Sequence, residues 1–360
     1  MKNQRCHDGI NSTIASIHLC ITYRQLLMAI CDAIKTGNKT TIVFPVDYQF
    51  IDMQIRYRLI RAYPNICFHF VREHAHIATF ATLPAWVPDI VRRNITVRGR
   101  IRTPWQWIPA FLIGQRFDIG YIYHTGPFLA KVLRGLCATL VLREDGLSNY
   151  VPQPLSIKKA IIRACFGLPW RVQVWGDEPW VASVEAESPE TLPEVIRSKA
   201  VSLKLIDLLS CIDDEQRQRL ATIFSLNKYI GFNEPKGCLI LTQPVDLVGL
   251  CSEVDKLALY SRLVELFQEQ GYGVYLKHHP KEAPYSLGRD VEQLPTAFPV
   301  ELWSSITGHR FVYCVALCST ALATNEMRVA EQHLQVVPLE YFNAKHAALW
   351  LGLVNSIVVS

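Results

Sequence analysis

The stretch LVLREDGLSNYVP, Leu140 to Pro152, opens as an apolar strand and closes as a polar loop containing a glycine. At the junction two acids stand side by side, Glu144 and Asp145, followed by Gly146. In an open parallel sheet the ligand crevice lies beyond the carboxyl ends of the strands. The doublet is therefore either a turn device, with Gly146 supplying positive φ, or a piece of chemistry. A carboxylate at that edge, partly desolvated, has its pKa raised toward the range of a general base.

Working outward, strand-like runs alternate with helix-like ones. IASIHLCIT (Ile14 to Thr22) leads into the amphipathic YRQLLMAICDAIK, TTIVFPV precedes IDMQIRYRLIRAYP, and ICFHFV follows. FDIGYIYH, GPFLAKVLRGL and ATLVLRE continue the alternation, which predicts a doubly wound sheet over residues 1–181. Ala182 to Ser198 is acidic and contains proline, and reads as a surface loop opening a linker with connecting helices over 182–232. A second α/β set, 233–340, holds the strand CLILTQP, the helix DKLALYSRLVELFQEQG ended by Gly271, and the strand YGVYLKHHP. The strand HRFVYCVALCST then runs into the helix ALATNEMRVAEQ. HAALWLGLVNSIV, within 341–360, reads as a helix packing back toward the first domain. The expected fold is α/β, two Rossmann-like domains facing across a cleft, which is a common place for a ligand.

Composition narrows the function. Of 360 residues, 50% are hydrophobic and 19% charged, the profile of a packed globular chain. A net charge of +5 is too small to argue for nucleic acid but suits an anionic ligand or membrane surface. The 11 cysteines include no CxxC pair, and Cys314 and Cys318 lack the companions of a zinc site, so reduced core thiols in a cytoplasmic protein are expected. No apolar run reaches the length of a signal peptide or membrane span, which predicts a soluble or peripheral protein. Neither G-x-G-x-x-G nor a Walker A loop occurs at a βα junction. Asp213, Asp214 and Glu215 sit at a helix start, where acids favour the macrodipole, and no DxD metal motif occurs.

Four strand ends carry candidate chemistry. Thr22 and Gln25 stand at the first strand-to-helix turn, and Glu144, Asp145 and Gly146 end a later strand. Lys277, His278, His279 and Pro280 end a strand of the second domain, and Ser319 and Thr320 precede a helix. Neighbouring residues on extended chain face opposite ways, so one histidine should face the cleft, aimed by the turn at Pro280. An imidazole beside a departing phosphate is sensible chemistry. Ser319 and Thr320 are either an ordinary N-cap or hydroxyls holding phosphate at a helix N-terminus.

As an ordered set these motifs resemble the bacterial sialyltransferases that build lipooligosaccharide and polysialic acid capsules. The family's T-x-x-Q-L-L is matched by Thr22, Gln25, Leu26 and Leu27, its [D/E]-[D/E]-G by Glu144, Asp145 and Gly146, and its HP by His279 and Pro280. The P-x-E-L stretch is matched by Pro299 and Glu301, and the small hydroxyl motif by Ser319 and Thr320. Lys281 stands where a basic residue often follows HP, behind an additional His278, and the hydroxyl motif is S-T. The resemblance implies a GT-B fold and an inverting, metal-independent transfer from CMP-sialic acid to a hydroxyl of a glycan or glycolipid, with no other cofactor. It implies Glu144 as the base, with Asp145 bracing the turn, and His279 as the group that protonates or neutralises the departing phosphate. Ser319 and Thr320 would hold that phosphate and Glu301 the ribose or base, with Thr242, Gln243, Lys277 and Pro280 also on the donor side. Thr22, Gln25 and Gly146 would stand on the acceptor side. The alternatives are transfer of another CMP-activated acid sugar such as Kdo, a sugar-nucleotide epimerase of the same architecture, or a non-catalytic polysaccharide-binding protein.

Two segments suggest a location. Arg92, Arg93, Arg98, Arg100 and Arg102 precede Trp105 and Trp107, and Lys158, Lys159, Arg163, Phe166, Trp170 and Arg171 follow later. Basic residues beside tryptophan suit an anionic membrane interface, so peripheral attachment to the inner face of the cytoplasmic membrane is expected.

Overall fold

The structure, a computed structural model, describes residues 14–74, 108–146, 149–157, 160–161, 164, 170–288, 290–318, 322 and 329–357. The first part forms β1 (Ala15–Leu19), α1 (Tyr23–Thr36), β2 (Lys39–Pro45), α2 (Met53–Ala62), β3 (Ile66–Val71), β4 (Phe117–Ile122), α3 (Phe128–Leu133) and β5 (Cys137–Arg143). Next come β6 (Gln153–Pro154), β7 (Val172–Gln173), β8 (Ser183–Ala186), α4 (Glu194–Arg197), β9 (Ala200–Ser202), α5 (Leu205–Leu209) and α6 (Asp214–Ile223). The remainder forms β10 (Gly237–Leu241), α7 (Glu253–Glu269), β11 (Gly273–Lys277), β12 (Val291–Gln293), α8 (Leu302–Thr307), β13 (Phe311–Ala316), β14 (Ala330–Gln335) and α9 (Ala347–Asn355).

Seven strands pair in the order β3-β2-β1-β4-β5-β8-β9 and five in the order β12-β11-β10-β13-β14, every pairing parallel. In each sheet the chain winds outward from its first strand, then crosses back to the other side. The reversals fall between β1 and β4 and between β10 and β13, and each opens a crevice at its carboxyl end. The interior strands are continuously apolar because helices cover both faces, and β10 is buried along its whole length. Thr22 starts α1 by accepting from the Gln25 N–H at 3.3 Å, and Gly37, at φ 65°, ends it. The result is the pair of Rossmann-like units facing across a cleft that the alternation predicts.

Three readings are corrected. The segment 182–232 is no simple linker: β8 and β9 extend the first sheet beyond β5. Its acids masked the pattern, for Val184 and Ala186 point into the core while Glu185 turns back to pair with Arg143 at 2.6 Å. The C-terminal helix α9 packs against α7 of the second unit and not back onto the first, because Trp350 and Val354 are fully buried in that unit's own core. Within the second unit, β14 begins at Ala330, inside the span read as helix.

Three apolar clusters hold the chain together. One lies on the outer face of the first sheet and one on the outer face of the second. The third is shared: Tyr23, Leu26 and Phe44 of the first unit and Leu220 of α6 join Leu239, Tyr275 and Trp303 of the second. Arg217 of α6 donates to the Ser305 carbonyl at 2.7 Å across the same seam.

Candidate active site

A cleft of about 520 Å³ runs between the two crevices, and both units supply its walls. That volume lies within the roughly 300–1,000 Å³ of small-molecule sites. The first unit contributes Thr22, Arg24 and Asp145, and the second Lys277, His279 and Glu301. A larger groove of about 1110 Å³, between α2 and α6, shares no described residue with the cleft, and no carboxylate or imidazole lines it among the described residues. The smaller space is the one that brings carboxylate and imidazole groups together.

The doublet divides its labour, but not as the resemblance implied. Glu144 is 4% exposed and faces away from the cleft: Oε2 accepts from the Tyr150 hydroxyl and from the Glu187 N–H at 2.8 Å. Asp145 lines the cleft. Its Oδ1 accepts from Gln25 Nε2, while Gln25 Oε1 takes the Ile21 N–H at 2.6 Å. Loss of solvent pushes the Asp145 pKa up to about 6, with the Gln25 hydrogen bond and Arg24 pulling it down. The expected order is reversed: Glu144 braces the turn and Asp145 faces the ligand space. Gly146, at φ 120°, turns the chain where a side chain would be strained, and Asn149 fixes the loop by accepting the Asp145 N–H at 3.0 Å.

Beneath the doublet lies a buried ion network. Arg143 pairs with Glu185 at 2.6 Å and with Asp32 at 3.2 Å, and sits over the Tyr121 ring at 3.8 Å. His18, fully buried and stacked on Tyr121, is held to a pKa of about 4 chiefly by burial. Paired charge of this kind costs more to break than to form, so it anchors the strand end that carries Asp145.

On the opposite wall both histidines line the cleft, and they differ in burial and in partners. His278 is 1% exposed, bonded through Nε2 to the Tyr285 carbonyl at 3.0 Å and packed on that tyrosine's ring. His279 is half-buried, and its Nδ1 accepts from the Lys281 N–H at 3.1 Å, which leaves the proton of a neutral ring on Nε2. Burial first, then Lys281 and Lys277, hold its pKa near about 4, so the ring is neutral at physiological pH.

The remaining donor-side expectations resolve individually. Thr242 and Gln243 spend their side chains on the protein. Thr242 Oγ1 donates to Glu282 at 2.5 Å and accepts the His279 N–H at 3.1 Å. Gln243 grips Cys318 on both sides, accepting its N–H at 2.7 Å and donating to its carbonyl, which ties the ends of β10 and β13 together. Pro280 lines the cleft, and Lys277 donates to the Thr296 carbonyl at 3.2 Å with its pKa lowered by burial to about 8. Glu301, 9% exposed, pairs with Arg24 at 3.3 Å. Ser319 and Thr320 lie outside the described residues. So do Arg92, Arg93, Arg98, Arg100, Arg102, Trp105, Trp107, Lys158, Lys159, Arg163 and Phe166.

Sequence reasoning missed three residues. Glu282 holds the histidine loop and is itself paired with Lys256 at 3.3 Å; its only sequence signal is an acid three residues after His279. Asn149 closes the acidic turn, and Arg24, next to Gln25, reaches from the first unit to the second. Among the described residues no group of three or more His, Cys, Asp or Glu side chains is placed to hold a metal ion, and no helix is long and apolar enough to cross a membrane.

Residues 125–327 match the family described as Alpha-2,8-polysialyltransferase (POLYST). The matched span takes in the acidic turn, the histidine loop and Thr320, but not the first turn with Thr22 and Gln25. No curated protein matches the chain. Among solved structures it is similar to the glycotransferase of kitacinnamycin, at 10% identity over 96% of this chain and 88% of that one, TM-score 0.43. It is also similar to UGT73P12 of Glycyrrhiza uralensis complexed with glycyrrhetinic acid 3-O-monoglucuronide, at 11% identity over 94% and 80% of the two chains, TM-score 0.49. A third is the spinosyn rhamnosyltransferase SpnG complexed with spinosyn aglycone, at 9% identity over 96% and 92%, TM-score 0.40.

Proposed function

The chain belongs to the alpha-2,8-polysialyltransferase family and is a glycosyltransferase, and on that premise we propose that its cleft moves sialic acid from CMP-sialic acid to a glycan hydroxyl with inversion and without a metal. One observation carries this reading: Asp145 and His279 enter one cleft from opposite sheets. Asp145 takes the proton of the acceptor hydroxyl, whose oxygen attacks the anomeric carbon on the face away from CMP. The bond to phosphate oxygen breaks, and the charge growing there meets the Nε2–H of His279 and the cations of Lys277 and Lys281. A departing monophosphate carries less charge than a diphosphate, so these groups take the role a divalent ion serves elsewhere. Incubation with CMP-sialic acid and a panel of glycans, with and without EDTA, should release CMP equally in both arms and extend the glycan. Release only from CMP-Kdo, or epimerisation of UDP-GlcNAc, would replace this reading.

The pH dependence has a definite sign. Asp145 acts only when ionised, so kcat/KM should fall as pH drops through about 6. The Gln25 hydrogen bond favours the carboxylate. Gln25→Leu should therefore move the acid limb upward in pH, and an unmoved limb in the pH–rate profile would take Asp145 out of the base role.

We propose also that the protein sits on an anionic bilayer through its two basic, tryptophan-containing segments. Trp170, 53% exposed with Arg171 5.2 Å over its ring, supports this. Flotation with anionic liposomes at low salt, lost at high salt, is expected; indifference to anionic lipid removes the idea.

A further inference from the structure

We infer that Arg24 is the binding residue for the carboxylate that an acid sugar carries on its anomeric carbon, an inference that rests on the donor reading above. Arg24 is the second residue of α1 and lines the cleft. Its guanidinium is placed by two contacts: Nη1 donates to the Glu144 carbonyl at 3.4 Å, and Nε pairs with Glu301 at 3.3 Å. It is thus set between the acidic turn of one unit and the donor-side acid of the other. Its Nη2 hydrogens meet no acceptor among the described residues.

The chemistry of the donor dictates where such a cation must be. In a 2-keto sugar acid the carboxylate is bonded directly to the carbon that is attacked, so it lies beside the line joining base and leaving group. Arg24 is close enough to Asp145 to help hold its carboxyl ionised. The other cations are placed differently. Lys277, assigned above to the leaving-group side, is held there by the Thr296 carbonyl and the Phe298 ring, 4.8 Å away. Lys281 is exposed on the histidine loop, the leaving-group side. A planar guanidinium with an unused edge presents parallel donors that match a carboxylate, which a lysine cannot reproduce. A neutral sugar gives that edge no partner, so the residue selects for an acid.

The test is calorimetric binding of three probes: CMP, a 3-fluoro analogue of CMP-sialic acid that is not turned over, and that analogue's carboxyl methyl ester. The native protein should bind the acid about 10–100-fold more tightly than the ester. Arg24→Ala should erase that preference while binding CMP as before, and Arg24→Lys should keep only part of it. Preference for the acid surviving in Arg24→Ala overturns the assignment. An equal loss of CMP binding makes Arg24 a strut between the units and also overturns it. If the native protein binds acid and ester alike, the assignment falls while the donor reading stands. If it binds CMP but neither sugar conjugate, the donor reading falls and takes this inference with it.

Discussion

Asp145→Asn should lower kcat by about 10²–10⁴-fold, the usual contribution of a general base, with CMP binding unchanged. The argument is positional. Adjacent residues at a strand end face opposite ways, and the structure turns Asp145 into the cleft and Glu144 toward Tyr150 and Glu187. Asparagine keeps an oxygen for Gln25 and a similar volume, so the turn should survive. Glu144→Gln also keeps an acceptor for Tyr150 and the Glu187 N–H, and should cost less than about tenfold in kcat because no proton transfer passes through it. Single-turnover kinetics on both variants decide the matter. If Glu144→Gln is the crippling change, the base is the residue implied by family order and the observed orientation is not the working one.

His279→Ala should reduce kcat by about 10²–10³-fold, because it removes a positioned hydrogen-bond donor from the leaving phosphate. His278→Ala should behave differently. Its ring fills a buried site against Tyr285 and is bonded to that residue's carbonyl. Truncation should cost about 2–4 kcal/mol of stability in a denaturant titration, while turnover per folded molecule stays near the native value. Equal losses of kcat at both positions would mean that the loop fails as a unit and that neither ring has a separate role.

Much of this was legible in the chain because it depends on local signals. Apolar runs such as CLIL marked the central strands, and Thr22 and Gly271 marked helix ends. What stayed hidden depends on distant partners. Which acid of the doublet faces the cleft is set by Glu187, 43 residues away. The strand β8 was concealed because Glu185 and Glu187 look like solvent-exposed acid until Arg143 and the Glu187 N–H contact to Glu144 are known. Thr242 and Gln243, on the donor side by resemblance, make hydrogen bonds to Glu282, to the His279 N–H and to Cys318, partners that no local pattern reveals.

The shared apolar cluster has a consequence for motion. Two-unit proteins usually hinge, unless a large hydrophobic interface joins the units. Here Leu239, Tyr275 and Trp303 of one half share a cluster with Tyr23, Leu26 and Phe44 of the other, with Phe224 packed on Tyr23 and Tyr229 on Trp303, so opening the cleft widely would disturb a common interior. Asp145 and His279 thus line one cleft of two units that share an apolar cluster. Such a scaffold spends little binding energy on closure.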